Sequence, residues 1–452
     1  MNKNWLLGIL CLLGFFTAKA SHNISITIDG CKKPYVVLAY YYGDKTYVAD
    51  TAYLKGNGSY LFAGEKSLDP GIYLVLYTDD NSYFEILVNN DDQRYNYTTT
   101  YFNPNKNLKA DNYECSLFCD YVSHMATKGE LIAEVNFRSK SFKENNQPDS
   151  VAACDRQLKK ITKEFIIFRT QIMNEKKGTF LSSVFNAMWE LEVPEGISND
   201  KYGAWAYYKN HFWDKFPFSD GRVLRTPVFG RKLTQYVETL TVQQPDSLIE
   251  SCFKVIDRCT VNAEMFKYTT WMLTYKYENS KMMGFDAVFA ALVKRYYATG
   301  KVTWMEKDKL DEIVDRAAQL DRILIGRTAP ELVLDDMNGK PAKLSSIKAD
   351  YTIVYFYGNN RYCVNETSAL ADLIKSSNGK LKVYAVCIES NETDCKAAAI
   401  DASFTNVRTD ADAISTYDIT STPTLYLLDK NKVILAKRLD TDQIKTFLKD
   451  KL

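Results

Sequence analysis

The sequence predicts a multidomain chain of the α+β and α/β classes, with an antiparallel β sandwich or barrel first, a helical bundle in the middle and an α/β domain last. Three observations predict it. Apolar residues recur every second position from Asn23 to about Phe102, the period of a half-buried strand. From about Asn112 to Leu324 they recur every three or four positions, the period of a helix face. Beyond residue 326, short β-rich runs alternate with helical stretches, as expected of a sheet covered by helices. At 452 residues the chain is too long for one ordinary domain. We divide it into residues 1–20, 21–110, 111–325 and 326–452.

Composition narrows the function classes. A hydrophobic content of 46% with 25% charged residues belongs to globular protein, which argues against extended disorder. A net charge of +1 supplies no field for nucleic acid, so no nucleic-acid partner is expected. The many aromatics, 31 Tyr and 23 Phe, read as amphipathic packing in strands and helices rather than as an adhesive surface.

Residues 1–20 have the layout of an export signal. Lys3 starts it with a positive charge, Trp5 to Phe16 is apolar but short for a membrane span, and Ala18-Lys19-Ala20 is a small-x-small cleavage site. The mature chain is therefore expected to begin at Ser21. It is expected to be secreted across the inner membrane, to the periplasm or in association with an outer membrane. No later run is as apolar, so no transmembrane helix is expected in the mature chain. A lipid anchor at Cys11 is the alternative, but Leu10 is bulky where lipoprotein signals resemble one another in having a small residue.

In the β segment Ile24, Ile26 and Ile28 alternate with Ser25 and Thr27, and six or seven short strands are separated by turn signals such as Gly43-Asp44, Gly56-Asn57-Gly58 and Asp69-Pro70-Gly71. No catalytic cluster stands out in it. In the helical segment the plainest helix begins near Asp149-Ser150. Val151, Cys154, Leu158, Ile161, Phe165, Phe168 and Ile172 line one face, and Gly178 suits the cap. We read it as one member of a bundle rather than a coiled-coil seam. The loop Trp213 to Phe229 holds two arginines among aromatics, which would serve either to clamp an acidic group or to anchor a helix connection.

Nine cysteines remain after the signal, so at least one thiol is left over in a monomer. Cys252 and Cys259 would lie about 10 Å apart along a helix, too far to bridge. Cys115 and Cys119 are one turn apart with parallel Cβ directions. Most of the cysteines read as small buried apolar residues. Three histidines, none at ligand spacing from another, give no metal site, and no cofactor is expected.

The chemistry-bearing stretch runs from Tyr351 to Glu366. Tyr351-Thr-Ile-Val-Tyr-Phe-Tyr357 is a buried strand, Gly358-Asn-Asn-Arg361 a polar loop, and a helix opens near Cys363. A proline in Ser421-Thr-Pro-Thr424 then precedes another β run. With the preceding hairpin at Glu331–Leu334 and Lys343-Leu344, this order resembles the TlpA/ResA-type envelope thioredoxins over roughly residues 326–452. The β and helical segments resemble the domains that precede thioredoxin domains in such proteins. The resemblance implies a C-terminal thioredoxin fold, a cis peptide at Thr422–Pro423, and a groove for an extended peptide formed around Thr422, Pro423, Tyr357 and Arg361.

The family's Trp-x-x-x-Cys-x-x-Cys motif is degenerate here. Tyr357 stands at the tryptophan, and Cys363 is the only cysteine of the loop. Without a gap Arg361 falls on the first cysteine and Cys363 on an intervening residue; with one residue deleted Cys363 falls on the second. A dithiol cycle needs a thiolate to attack and a neighbour to resolve the mixed disulfide. Two readings follow. One is a non-catalytic envelope protein that binds a peptide or an envelope protein. The other is a one-cysteine thiol-disulfide oxidoreductase with Cys363 as its catalytic group. Within this domain Cys387 is expected in the core and Cys395 nearer the solvent.

Overall fold

The structure is a computed structural model that describes residues 22–77, 82–89, 92–389, 392–397, 401–409 and 411–449. The export signal, Ser21 and Cys11 lie outside the described residues. The chain divides into two compact units, Met1–Gln235 and Tyr236–Leu452. The boundary falls inside the helical stretch, so some helices pack with the β strands and others with the last sheet.

In the first unit the period-two segment forms β1 (His22–Asp29), β2 (Tyr35–Tyr42), β3 (Lys45–Tyr53), β4 (Ser59–Gly64), β5 (Gly71–Tyr77), β6 (Tyr83–Val88) and β7 (Gln93–Thr100), followed by the short β8 (Lys109–Ala110). They make two four-stranded sheets, β4-β1-β7-β8 and β3-β2-β5-β6. Ile24 and Ile26 of one sheet share a buried core with Val36, Leu38 and Val75 of the other, as in a sandwich. The expectation of a purely antiparallel domain needs correction at one place. β1 and β7 run parallel, from His22 opposite Gln93 to Asp29 opposite Thr100. Such a pair needs a long crossover, and here the whole of β2 to β6 supplies it.

The same unit holds a long helix, Tyr113–Glu144, capped by the Asn112 side chain, and its antiparallel partner Pro148–Glu175. The second is the helix the spacing predicts, and Cys154, Ile161, Phe165 and Ile172 are its buried positions. The arginines of the 213–229 loop hold that loop to the strands. Arg222 pairs with Asp220 and donates to Asn89 at 3.2 Å. Arg225 is buried and pairs with Asp69 at 3.1 Å. They serve the fold, as the anchoring of a helix connection requires.

The second unit begins with helices Pro245–Cys259, Ala263–Glu278, Asp286–Leu292 and Lys307–Arg322. A hairpin of β9 (Val333–Asp335) and β10 (Pro341–Lys343) follows. Then come β11 (Tyr351–Tyr357), β12 (Leu381–Cys387), β13 (Thr405–Arg408), β14 (Thr424–Asp429) and β15 (Ile434–Lys437). They form a mixed sheet in the order β13-β12-β11-β14-β15, with β11 parallel to β12 and antiparallel to β14. This is the thioredoxin arrangement. Two lysines are buried in it and paired. Lys437 contacts Asp286 and donates to the Ile323 carbonyl at 2.7 Å, and Lys432 donates to the Ile347 carbonyl at 2.8 Å and to Thr352 at 2.9 Å. Among the described residues no helix is long and apolar enough to cross a membrane.

Candidate functional site

The central strand β11 is buried over Thr352–Tyr357 and delivers the chain to a loop of three residues, Gly358 to Asn360. Gly358 lies under the Glu389 side chain, which a larger residue would have to displace. A Cβ there would lie 2.6 Å from the Glu389 carboxylate and 3.4 Å from the Thr422 hydroxyl. Asn360 is extended (φ −143°, ψ 158°) and caps the helix Arg361–Ser376, its Oδ1 accepting the Cys363 N–H at 3.0 Å. Its Nδ2 donates to the Thr422 hydroxyl at 3.0 Å, which ties the helix start to the loop of the cis Thr422–Pro423 peptide. Across the loop, the Asn359 N–H donates to Glu389 at 2.6 Å.

Cys363 sits in the first turn of this helix and is 2% exposed. Its sulfur accepts the Gly358 N–H at 3.4 Å, and its carbonyl accepts the Tyr355 hydroxyl at 2.9 Å. Tyr355 also meets the Thr367 hydroxyl at 3.2 Å, and burial holds its own hydroxyl well above the ordinary tyrosine range. Tyr357, expected to face a ligand, is instead buried at 1% exposure, with its ring stacked on Tyr355 at 5.3 Å. Burial first, and the Cys363 sulfur second, push its hydroxyl upward too. Arg361 and Tyr362 are exposed, with the guanidinium 5.7 Å from the ring centre.

The structure thus brings Cys363, Asn360, Thr422, Pro423 and Glu389 together, leaves Arg361 on the rim, and withdraws Tyr357 into the core. Thr422 and Pro423 are half-buried. Asn360 and Glu389 were not singled out from the sequence. Asn360 was findable as a capping residue three positions before Cys363. Glu389 had no local signal, because it arrives from the end of a different strand.

Cys395 is also placed otherwise than its sequence position suggests. It is fully buried and bonded to Cys387, with Cα atoms 5.8 Å apart. The short helix Glu392–Ala397 folds back over the end of β12, within disulfide reach. Neither sulfur is a thiol that could resolve Cys363 as it stands. The other cysteines among the described residues are buried and outside any disulfide, and burial pushes the thiols of Cys119, Cys252 and Cys259 up to about 12. Among the described residues no group of His, Cys, Asp and Glu could hold a metal ion.

Comparison with known proteins agrees with this fold. Residues 325–437 match the AhpC/TSA family, and residues 153–319 match a domain of unknown function, DUF5106. No curated protein matches the chain. Among solved structures, a thioredoxin-like protein from Bacteroides caccae is 20% identical, covering 58% of this chain and 98% of its own, with a TM-score of 0.48. A domain of a possible thiol-disulfide isomerase from Cytophaga hutchinsonii is 32% identical over 28% of this chain and 92% of its own, with a TM-score of 0.25. The thioredoxin domain of a thiol-disulfide oxidoreductase from Bacteroides vulgatus is 25% identical over 28% and 96%, with a TM-score of 0.26. Residues 325–437 therefore match the AhpC/TSA family, and the end of the chain carries a thioredoxin-like mixed sheet.

Proposed function

We propose that this is an exported cell-envelope protein whose thioredoxin-like domain binds an extended peptide or an envelope protein without turning over disulfides. The observation that carries the reading is the state of Cys363. It is buried, and the residues that open its helix are Arg361 and Tyr362 rather than a second thiol. Burial also fits the family's second cysteine, the less reactive of its pair, better than an intervening position. A lone thiolate can form a mixed disulfide but has no neighbour to release it.

The loop of the cis Thr422–Pro423 peptide is kept, half-exposed and braced by Asn360, and that supports a retained binding edge. Export is supported by the Cys387–Cys395 disulfide, since such bonds persist in oxidising compartments. The test is insulin reduction with dithiothreitol. We expect no acceleration over the uncatalysed rate, and turnover abolished by Cys363→Ser would overturn the reading.

One observation favours the second reading, a one-cysteine oxidoreductase. The Gly358 N–H is aimed at the Cys363 sulfur at a helix N-terminus, a setting in which reactive cysteines occur. Iodoacetamide labelling followed by peptide mass spectrometry separates the two. Slow labelling of Cys363 at pH 6 supports the binding protein, and fast labelling supports the enzyme.

A further inference from the structure

The first unit contains a cleft of about 300 Å³ between the β5–β6 face and the helical segment, floored by Phe118, Val184 and Met188. Three cations line it, Arg169, Arg231 and Lys232, with two carboxylates, Glu85 and Glu190. A second cleft of about 350 Å³ shares Arg169, Met188 and Glu190, so the two adjoin. Unlike Arg222 and Arg225, neither Arg169 nor Arg231 makes a side-chain hydrogen bond or ion pair among the described residues. Arg231 does lie close enough to Glu85 to oppose the upward push of burial on that carboxyl. Glu85 is engaged elsewhere, accepting the Tyr41 hydroxyl at 2.8 Å. Lys232 donates to the Trp189 carbonyl at 3.2 Å and lies over the Phe212 ring at 4.3 Å, and burial brings its ammonium down to about 8.

We infer that this cleft binds a small monocarboxylate with an apolar body. The two guanidiniums offer the forked donors that a carboxylate fits, and neither makes a hydrogen bond or ion pair with the protein's own acids among the described residues, although Arg231 acts on Glu85 at longer range. The floor is apolar, and an apolar floor with charged groups in the lining to fix orientation is the usual make-up of a small-molecule site. At roughly 30 Å³ per water, 300 Å³ holds on the order of ten non-hydrogen atoms. Glu85 and Glu190 in the lining oppose a dianion, which favours a carboxylate over a phosphate ester.

The experiment is calorimetric titration of the full chain with hydrocinnamate, its neutral amide and inorganic phosphate. We expect saturable binding of the acid, with the amide at least about tenfold weaker, as loss of one charge-assisted contact implies. Arg169→Gln and Arg231→Gln should each weaken the acid about tenfold without changing thermal unfolding. Arg94→Gln, on an exposed arginine that pairs with Asp92, should leave binding unchanged. Equal affinity for acid and amide overturns the inference. So does no binding at millimolar acid, undiminished binding by both cleft variants, or phosphate competing as well as the acid.

Discussion

Two places in this chain gather polar groups, and they treat them in opposite ways. Around Cys363 most of the polar groups are paired within the fold, Arg361 on the rim and the Tyr357 hydroxyl being the exceptions. Asn360 holds Cys363 and Thr422, Glu389 holds Asn359, and Gly358 donates to the sulfur. In the cleft of the first unit two guanidiniums make no hydrogen bond or ion pair among the described residues. The place with a recognisable motif has its donors and acceptors committed to the fold. The place without one has them to offer. A motif reports ancestry, whereas uncommitted polar groups report what a surface can still bind.

The largest effect expected comes from breaking a buried pair elsewhere in the second unit, Lys437 with Asp286. Lys437 has a side chain 3% exposed and Asp286 one 13% exposed. Asp286→Ala would leave the ammonium buried with only the Ile323 carbonyl, which costs about 3–5 kcal/mol in such pairs. Denaturant unfolding measures it. The pH dependence has a definite sign. Burial holds the Lys437 pKa below its unfolded value, with Asp286 opposing. Between the folded value and about 10.4 the unfolded chain binds the proton that the folded chain has lost. Stability contributed by this lysine therefore rises with pH in that window, and Asp286→Ala should be partly relieved at alkaline pH. Lys437→Met should abolish that rise.

The next largest effect concerns Cys387–Cys395, which closes a loop of sequence separation 8 and carries Glu389 within it. Loop-closure entropy for so short a ring gives about 2–3 kcal/mol. Cys395→Ser should lower the thermal midpoint of wild type to that extent, and a reductant should lower wild type but not the variant. If neither moves the midpoint, the disulfide does not brace the Cys363 loop, and the contrast between committed and uncommitted groups weakens.

Much of the fold was legible because its signals are local. The strand, loop, helix and proline order of the last domain depends on runs of under twenty residues, and so does the helix Pro148–Glu175. What was not legible is long-range. The parallel partner of β1 is β7, about seventy positions away, and alternation within a strand carries no sign of direction. The Cys387–Cys395 bond depends on a short helix folding back, which spacing alone does not require. Tyr357 was read as a groove residue from its place in a motif, but β11 is central in its sheet and covered, so its side chain is core. The cleft is assembled from residues between Ile72 and Gln235, none of them adjacent in a motif. Of the site itself, Cys363, Thr422 and Pro423 were legible, and Glu389 was not.

A smaller effect is expected at the helix start. Asn360→Ala removes both the cap on Cys363 and the link to Thr422, and caps of this kind contribute about 1 kcal/mol. Amide exchange at Cys363 should quicken in the variant.

The smallest effect lies in the two stacked tyrosines of β11, and it tests the contrast inside a single site. Both hydroxyls are buried. That of Tyr355 is committed, to the Cys363 carbonyl and the Thr367 hydroxyl. That of Tyr357 has no hydrogen-bond partner among the described residues. Removing a bonded hydroxyl loses its net contribution, about 1 kcal/mol, and leaves a buried acceptor unsatisfied. Removing an unbonded one loses no hydrogen bond and relieves a desolvated polar atom. Tyr355→Phe should therefore destabilise by about 0.5–1 kcal/mol, whereas Tyr357→Phe should be neutral or slightly stabilising. Both keep the ring and its stacking, so the difference between them isolates the hydroxyl. Parallel denaturant titrations of the two variants measure it. Equal losses would mean that Tyr357 has a partner, such as bound water, and that the site is committed throughout.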